Sequence, residues 1–366
     1  MPVPVRLAPL AFVPLALLAL LALLALLALP ALTACAPAAT GGAATPTGGT
    51  AAQQAGAAKP VNGDPAASAV ASAPGGPGNN AAAGQTRRVP LRFDIQGTSF
   101  PSPLIDAIVG GQPTTLLIDT GATHHVITGW LADELALPQT TAGDVGLDHA
   151  GRPVRITRVE GAAVSLSGWG RVDVPTLLVV PVPEVLQRMG IGGFLSPQAL
   201  AAGRRAVILD LRAGEMRDAP FDEAVRAAEA SPEPGSITEL ALCGGENEGR
   251  QLIAPVLVNG VAVQLKVDSG ATQSSLFAAS EAGKRFAAGA RGAHSAYAAS
   301  GKHTVPVLEK TRVQIGGGEV VTDVDLLPNA PRPGCPADGF IGMDALRQCT
   351  LILGVTRAVA RCRRPD

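Results

Sequence analysis

Two stretches of the chain carry the same alternation of apolar and polar positions, and both end in the same way. Gly111-Gln112-Pro113-Thr114-Thr115-Leu116-Leu117-Ile118 and Asn259-Gly260-Val261-Ala262-Val263-Gln264-Leu265-Lys266-Val267 each begin at a Gly-containing turn. Each continues as a run rich in β-branched side chains, which predicts a strand. Each strand then stops at an acid. The first reads LIDTGAT over 117–123 and the second VDSGAT over 267–272, so Asp119 and Asp268 sit where an apolar run would make an isolated charge costly.

The copies continue downstream in the same order. HAGRPV at 149–154 and ASGKHTV at 299–305 are polar, Gly-bearing tips between strand-like segments, which predicts two hairpins. GFLSPQAL at 193–200 parallels GFIGMDAL at 339–346, and each precedes a short apolar strand, AVIL at 206–209 and TLIL at 350–353. Matched landmarks in one order point to a tandem duplication, spanning about 89–220 and about 236–362. The Ala/Glu/Pro stretch 221–235 joins the copies, with room for a helical turn or two. The glycines at 316–318 lack the helix that follows a phosphate loop and read as a hairpin turn.

Before the duplication the pattern changes twice. Residues 36–86 are almost entirely Ala, Gly, Pro, Thr, Asn, Ser and Gln, too polar and small to offset chain entropy, so a flexible tether is expected. Residues 1–35 hold Arg6, an apolar Leu/Ala run over 15–29 and then Leu32-Thr33-Ala34-Cys35, the order of a secretory signal. The ending LTAC resembles the lipobox of bacterial lipoproteins, which implies lipidation of Cys35 and membrane attachment through it. The alternative is an uncleaved anchor, the run being nearly long enough to span a bilayer. Ala36 after the Cys, by resemblance to Gram-negative lipoproteins, implies the outer membrane, facing the periplasm or the cell surface. The resulting division is 1–35 signal, 36–86 tether, 87–220 first lobe, 221–235 linker and 236–366 second lobe.

Composition narrows the function. Of 366 residues only 16% are charged, the formal net charge is −1 and aromatics make up 3%. With no basic stripe, nucleic acid is not an expected partner. Abundant Gly and Pro with few aromatics favour an all-β chain of short strands and many turns. Cys243, Cys335, Cys349 and Cys362 suggest two disulfides in an exported protein, with three pairings open. The favoured pairing is Cys335–Cys349 with Cys243–Cys362. No CxxC occurs and the five His are not at ligand spacing to the Cys, so no metal is expected. Adjacent His124 and His125 point to opposite faces of a strand, one toward the site or surface and one inward. Trp130 and Trp169 read as core or hairpin support. No GxSxG elbow is present.

A duplicated domain packed about a pseudo-twofold axis brings equivalent features together. Asp119 and Asp268 would then meet, share one proton and titrate as a coupled pair. The ionised member can take a proton from water while the protonated one polarises a carbonyl. Thr120 and Ser269 place a hydroxyl after each acid, able to bond across and lock the loops. Gly121 and Gly270 let backbone approach the carboxylates closely.

Paired D-[TS]-G-A-T loops, each followed by Gly-Phe-Leu or Gly-Phe-Ile, resemble the aspartic peptidases of the pepsin and retropepsin group over about 89–362. Ala122 and Ala271 make the loops more similar to retropepsins. The resemblance implies a bilobal all-β fold of two β-barrel-like lobes and an aspartic endopeptidase with Asp119 and Asp268 as the catalytic pair. Thr120, Gly121, Ser269 and Gly270 would support them. It also implies that no cofactor is required and that the substrate is an extended peptide or protein. Two lobes in one chain would need no dimerisation, hence a monomer. Gly342 satisfies the family's second motif, whereas Ser196 stands at that place in the first copy. With alanines at 122 and 271 each acid lacks a side-chain donor, which predicts an optimum nearer mild acid or neutral than that of pepsin. The alternative function is a peptide-binding lipoprotein that keeps this fold without cutting.

Overall fold

The repeated strand pairs fold as the alternation predicts. In the computed structural model, Thr98–Val109 runs antiparallel to Gln112–Ile118, and Gln251–Val258 runs antiparallel to Val261–Val267. Both turns need left-handed backbone, supplied by Gly110 and Gly111 in the first pair and by Asn259 and Gly260 in the second. Residues 86–148, 152–244, 250–298, 301–331 and 335–363 are described. The signal, the tether, Cys35 and the hairpin-tip residues 149–151 and 299–300 lie outside them.

Each copy lays out its strands by one plan, the first in a 10-stranded sheet and the second within a 13-stranded sheet that also holds the strands joining the lobes. In the first, the strand before Asp119 lies parallel to Ile191–Leu195, which also pairs with Val126–Thr128. In the second, the strand before Asp268 lies parallel to Gly339–Ile341, which pairs with Ser275–Phe277. A long hairpin leaves each sheet. Thr140–Leu147 pairs with Pro153–Glu160, closing at Leu147 opposite Pro153, and Ala293–Ala298 pairs with Gly301–Ile315, closing at Ala298 opposite Gly301. Residues 316–317 form the turn between Gly301–Ile315 and Gly318–Leu327.

The lobes are joined by strands outside both plans. In order across the sheet these are Arg88–Pro90, Glu215–Pro220, Arg205–Asp210, Cys349–Leu353, Ala358–Arg363 and Gly235–Cys243. The order is a palindrome: the three strands of the first copy meet the three of the second where Ile208 lies opposite Ile352. The pseudo-twofold axis passes beside that pair. Val207, Ile208, Leu209, Leu351, Ile352 and Leu353 are all at most 1% exposed, because this sheet is covered on both faces. One cover is the helix Phe221–Glu229 within the linker, whose Phe221 and Ala224 pack with Ile208 and Ile352.

The expected disulfide pairs are not those formed. Cys349 bonds Cys362, and Cys243 bonds Cys335. The cause is register. Cys349 and Cys362 face each other at one end of an antiparallel pair, with Cα atoms 4.1 Å apart, so register brings these two thiols within bonding reach of each other. Cys243 ends its strand opposite Gln251, where Cys335 also arrives.

Candidate active site

Each acid leaves its strand held from below. The Asp119 N–H donates to the Leu195 carbonyl at 2.9 Å, and the Asp268 N–H donates to the Ile341 carbonyl at 3.0 Å. The chain then turns back on the carboxylate. Gly121 and Ala122 N–H donate to Asp119 Oδ1 at 2.7 and 3.1 Å, and Gly270 and Ala271 N–H donate to Asp268 Oδ1 at 3.0 and 2.9 Å. This is how the sequence places an acid at the end of an apolar strand: the loop supplies two donors for one oxygen.

The hydroxyls join the two loops. Thr120 Oγ1 donates to the Val267 carbonyl at 2.9 Å and accepts the Ser269 N–H at 2.9 Å. Reciprocally, Ser269 Oγ donates to the Ile118 carbonyl at 2.7 Å and accepts the Thr120 N–H at 3.0 Å. Both side chains are wholly buried. Each hydroxyl thus satisfies a donor and an acceptor on the other lobe, as its sequence position implies.

The carboxyl groups meet across this lock. A Cβ added to Gly121 would stand 2.5 Å from Asp268 Cγ, and one added to Gly270 would stand 2.8 Å from Asp119 Cγ. Each glycine is therefore the floor of the other lobe's acid. Asp268 is 4% exposed, while Asp119 retains partial access to solvent. Burial, with the like charge and hydrogen bond of Asp268 added, pushes the Asp119 pKa up to about 8, against a smaller pull from Lys266 and the Gly121 N–H. The pair so placed holds one proton at neutral pH.

Beneath the loops the copies diverge. In the second, Ser274 Oγ accepts the Gly342 N–H at 3.0 Å and donates to Asp344 Oδ1 at 2.7 Å. A Cβ on Gly342 would stand 2.6 Å from the Gln273 carbonyl carbon. In the first copy His125 occupies the place of Ser274, and its Nδ1 accepts the Ser196 N–H at 3.3 Å. The longer side chain spaces the two segments and admits the Cβ that Ser196 carries. Ser196 Oγ is buried without a hydrogen bond, so Ser196 fills space without adding a contact. Burial pushes the His125 pKa down to about 4. His124 points elsewhere, half-buried beside Thr123 Oγ1 at 2.9 Å. Gln198, the counterpart of Asp344, donates through Nε2 to the Thr120 and Ala122 carbonyls at 3.1 and 2.6 Å. Neither His125 nor Gln198 stands out by motif; aligning the two copies position by position would have found both.

The first-copy hairpin reaches across the lobes. Its Asp148 carbonyl accepts a hydrogen bond from Asn329 Nδ2 at 3.2 Å. Trp169 is buried in the core and Trp130 packs against it. Among the described residues no three His, Cys, Asp or Glu gather to hold a metal.

Residues 105–195 match the family described as aspartyl protease, a span that contains the first acid loop and ends at Leu195. No curated protein matches the chain. Among solved structures, the aspartic proteinase from Irpex lacteus is similar, with 12% identity and a TM-score of 0.43, covering 76% of this chain and 98% of that one.

Proposed function

We propose that the protein is an aspartic endopeptidase in which Asp119 and Asp268 activate a water between them. The observation that carries the reading is the reciprocal pair of loops, each holding an acid against the other lobe's glycine and locked by Thr120 and Ser269. One carboxyl, protonated, donates to the substrate carbonyl. The other, ionised, accepts a proton from the water, which attacks to give a tetrahedral intermediate without a covalent adduct. Proton return to the leaving amine resets the pair. The match of residues 105–195 to an aspartyl protease family supports this chemistry. No cofactor enters it.

The substrate in this reading is an extended peptide or protein bound between the lobes as an added strand, with the two hairpins folding over it. The enzyme works as a monomer, exported and held to a membrane through lipidated Cys35 on the 36–86 tether. The test is cleavage of a mixed peptide library by the full-length protein against Asp119→Asn and Asp268→Asn. Each substitution is expected to lower kcat by about three orders of magnitude, and a statine-type transition-state mimic to block the wild type. Peptide binding without cleavage in all three proteins, across the pH range, would make it a binder.

A further inference from the structure

The second hairpin is fastened near its base by a side chain that can hold two acids at once. His294 is the second residue of Ala293–Ala298, whose alternation sets His294, Ala296 and Ala298 on the inward face. Its Nδ1 lies 3.0 Å from Asp325 Oδ1 and its Nε2 lies 3.5 Å from Asp323 Oδ2. A neutral imidazole has one N–H and one lone pair, and a lone pair turned toward a carboxylate is repelled. Serving both acids therefore takes the imidazolium, with a proton on each nitrogen.

Both acids stand on Gly318–Leu327, the strand that also supports the second acid loop. The Asp325 N–H donates to the Ser274 carbonyl at 3.0 Å, and Gln273 Nε2 donates to the Asp323 carbonyl. In the first lobe the Leu178 N–H makes the same bond to the His125 carbonyl at 3.1 Å. Both strands run parallel to the segment that follows their acid loop. Leu178 thus takes the place of Asp325, and Thr176 that of Asp323. The fold builds this strand without carboxylates, yet the second lobe keeps Asp325 with its side chain only 10% exposed. Burial raises the Asp325 pKa, and the hydrogen bond and charge of His294 oppose the rise.

Asp323 and Asp325 face His294 from the neighbouring strand. On its own hairpin His303 shares its inward face, and Glu309 Oε1 lies over Gly292. Lys310 gives its backbone N–H to Asp323 Oδ1 at 2.9 Å, and Arg291 gives its own to the Val307 carbonyl at 2.8 Å. Toward the tip, the hairpin rests on Ala296 and Val305, which pack with Phe277, Leu327 and Phe340. Apolar contacts of this kind have no direction, whereas two charge-assisted contacts fix one.

We propose that His294 is a positioning residue for the bound peptide: as an imidazolium it fastens the second hairpin down on Asp323 and Asp325, and as a neutral ring it lets the hairpin lift. Peptide binding then tightens as pH falls and weakens as pH rises. The consequence for cleavage rests on the peptidase reading, while the fastening belongs to the hairpin itself.

The test compares the full-length protein with His294→Gln, which stays neutral, and with Asp325→Leu, which installs the first lobe's residue. KM and kcat for the best-cut library peptide are measured at pH 5.5, 6.5 and 7.5, between the ranges in which His125 and Asp119 titrate. Wild-type KM is expected to rise by about tenfold across these steps, as one charge-assisted bond is lost, with the effect in KM rather than kcat. In both variants KM is expected to stay flat near the wild-type value at pH 7.5. Amide hydrogen exchange over 293–298 and 301–308, corrected for its intrinsic pH dependence, is read on the same proteins without peptide. Wild-type protection is expected to be about tenfold greater at pH 5.5 than at pH 7.5, and equal at both in the variants. Each protein is compared with itself across pH, so a variant's lower overall stability does not enter. If no peptide is cut yet protection follows His294, the peptidase reading fails and the fastening stands. Wild-type KM or protection that is flat with pH, or a pH dependence that survives His294→Gln, overturns the role of His294.

Discussion

At Asp119, burial and the neighbouring Asp268 charge act in the same direction, and the result has two readable consequences. The first concerns activity. With the Asp119 pKa near 8, the pair keeps its shared proton through neutral pH, and kcat is expected to fall as pH rises through about 8. A rate profile that collapses well below neutral pH, as pepsin's does, would contradict this. The second concerns stability. The unfolded carboxyl titrates near 3.8, so between about pH 4 and 8 the folded chain binds the extra proton and stability declines as pH rises. Asp119→Asn is expected to melt above the wild type at pH 7, by about 2–4 °C per kcal/mol recovered, with the gap closing toward pH 4. His125 runs the other way. Its folded pKa of about 4 lies below the ordinary 6.5, so its contribution is intact at neutral pH and is lost as pH falls from about 6.5 to 4. His125 alone thus makes strong acid a poor range for the fold, whereas Asp119 sets the alkaline limit. That the two acid loops would meet was legible because both copies carry the same loop at the end of the same strand. His125 was not, since a buried neutral imidazole leaves the same mark as a surface one.

Loops and strands behave as matched parts with local substitutions. Thr120→Val removes one donor and one acceptor from a wholly buried lock, leaving the Ser269 N–H and the Val267 carbonyl unmet. A loss of about 2–4 kcal/mol is expected, read as a lower denaturation midpoint, whereas Ser269→Thr keeps the hydroxyl and should cost far less. Beneath the loops, His125 and Ser196 form a set, as Ser274 and Gly342 do. His125→Ser alone leaves the gap that the imidazole filled, and Ser196→Gly alone removes a well-fitted Cβ. The double variant restores the second lobe's arrangement, so the cycle is expected to show coupling of about 1 kcal/mol or more in favour of the pair. The hairpins, the turn at 316–317 and the strands at 206–209 and 350–353 all followed from alternation and glycine placement, because those signals are local. The hydrogen bond from Asn329 to the Asp148 carbonyl joins residues far apart in sequence, and no local pattern announces it.

Across the whole molecule the duplication was legible and its closure was not. Order and spacing revealed two copies, yet nothing in either copy says that Ile208 will lie opposite Ile352. That pairing arises only when both copies present an apolar edge to each other, and it builds the sheet on which the lobes rest. The cysteines show the same limit. Pairing by span favoured Cys335–Cys349 and Cys243–Cys362, whereas strand register sets Cys349–Cys362 and Cys243–Cys335. Fragment mapping under non-reducing conditions is expected to recover the latter two links. Replacing Cys349 and Cys362 by Ser should cost about 2–3 kcal/mol, the closed segment being short.

Gly121 and Gly270 each lie under an acid that belongs to the other half. A methyl group gained by either half would displace the carboxylate of its sibling, so a change in one copy is judged by the other. After duplication such a contact denies both halves independent drift at these positions, while leaving His125 and Ser274, Ser196 and Gly342, or Leu178 and Asp325 free to part company. The centre stays a twin and the surroundings become individuals.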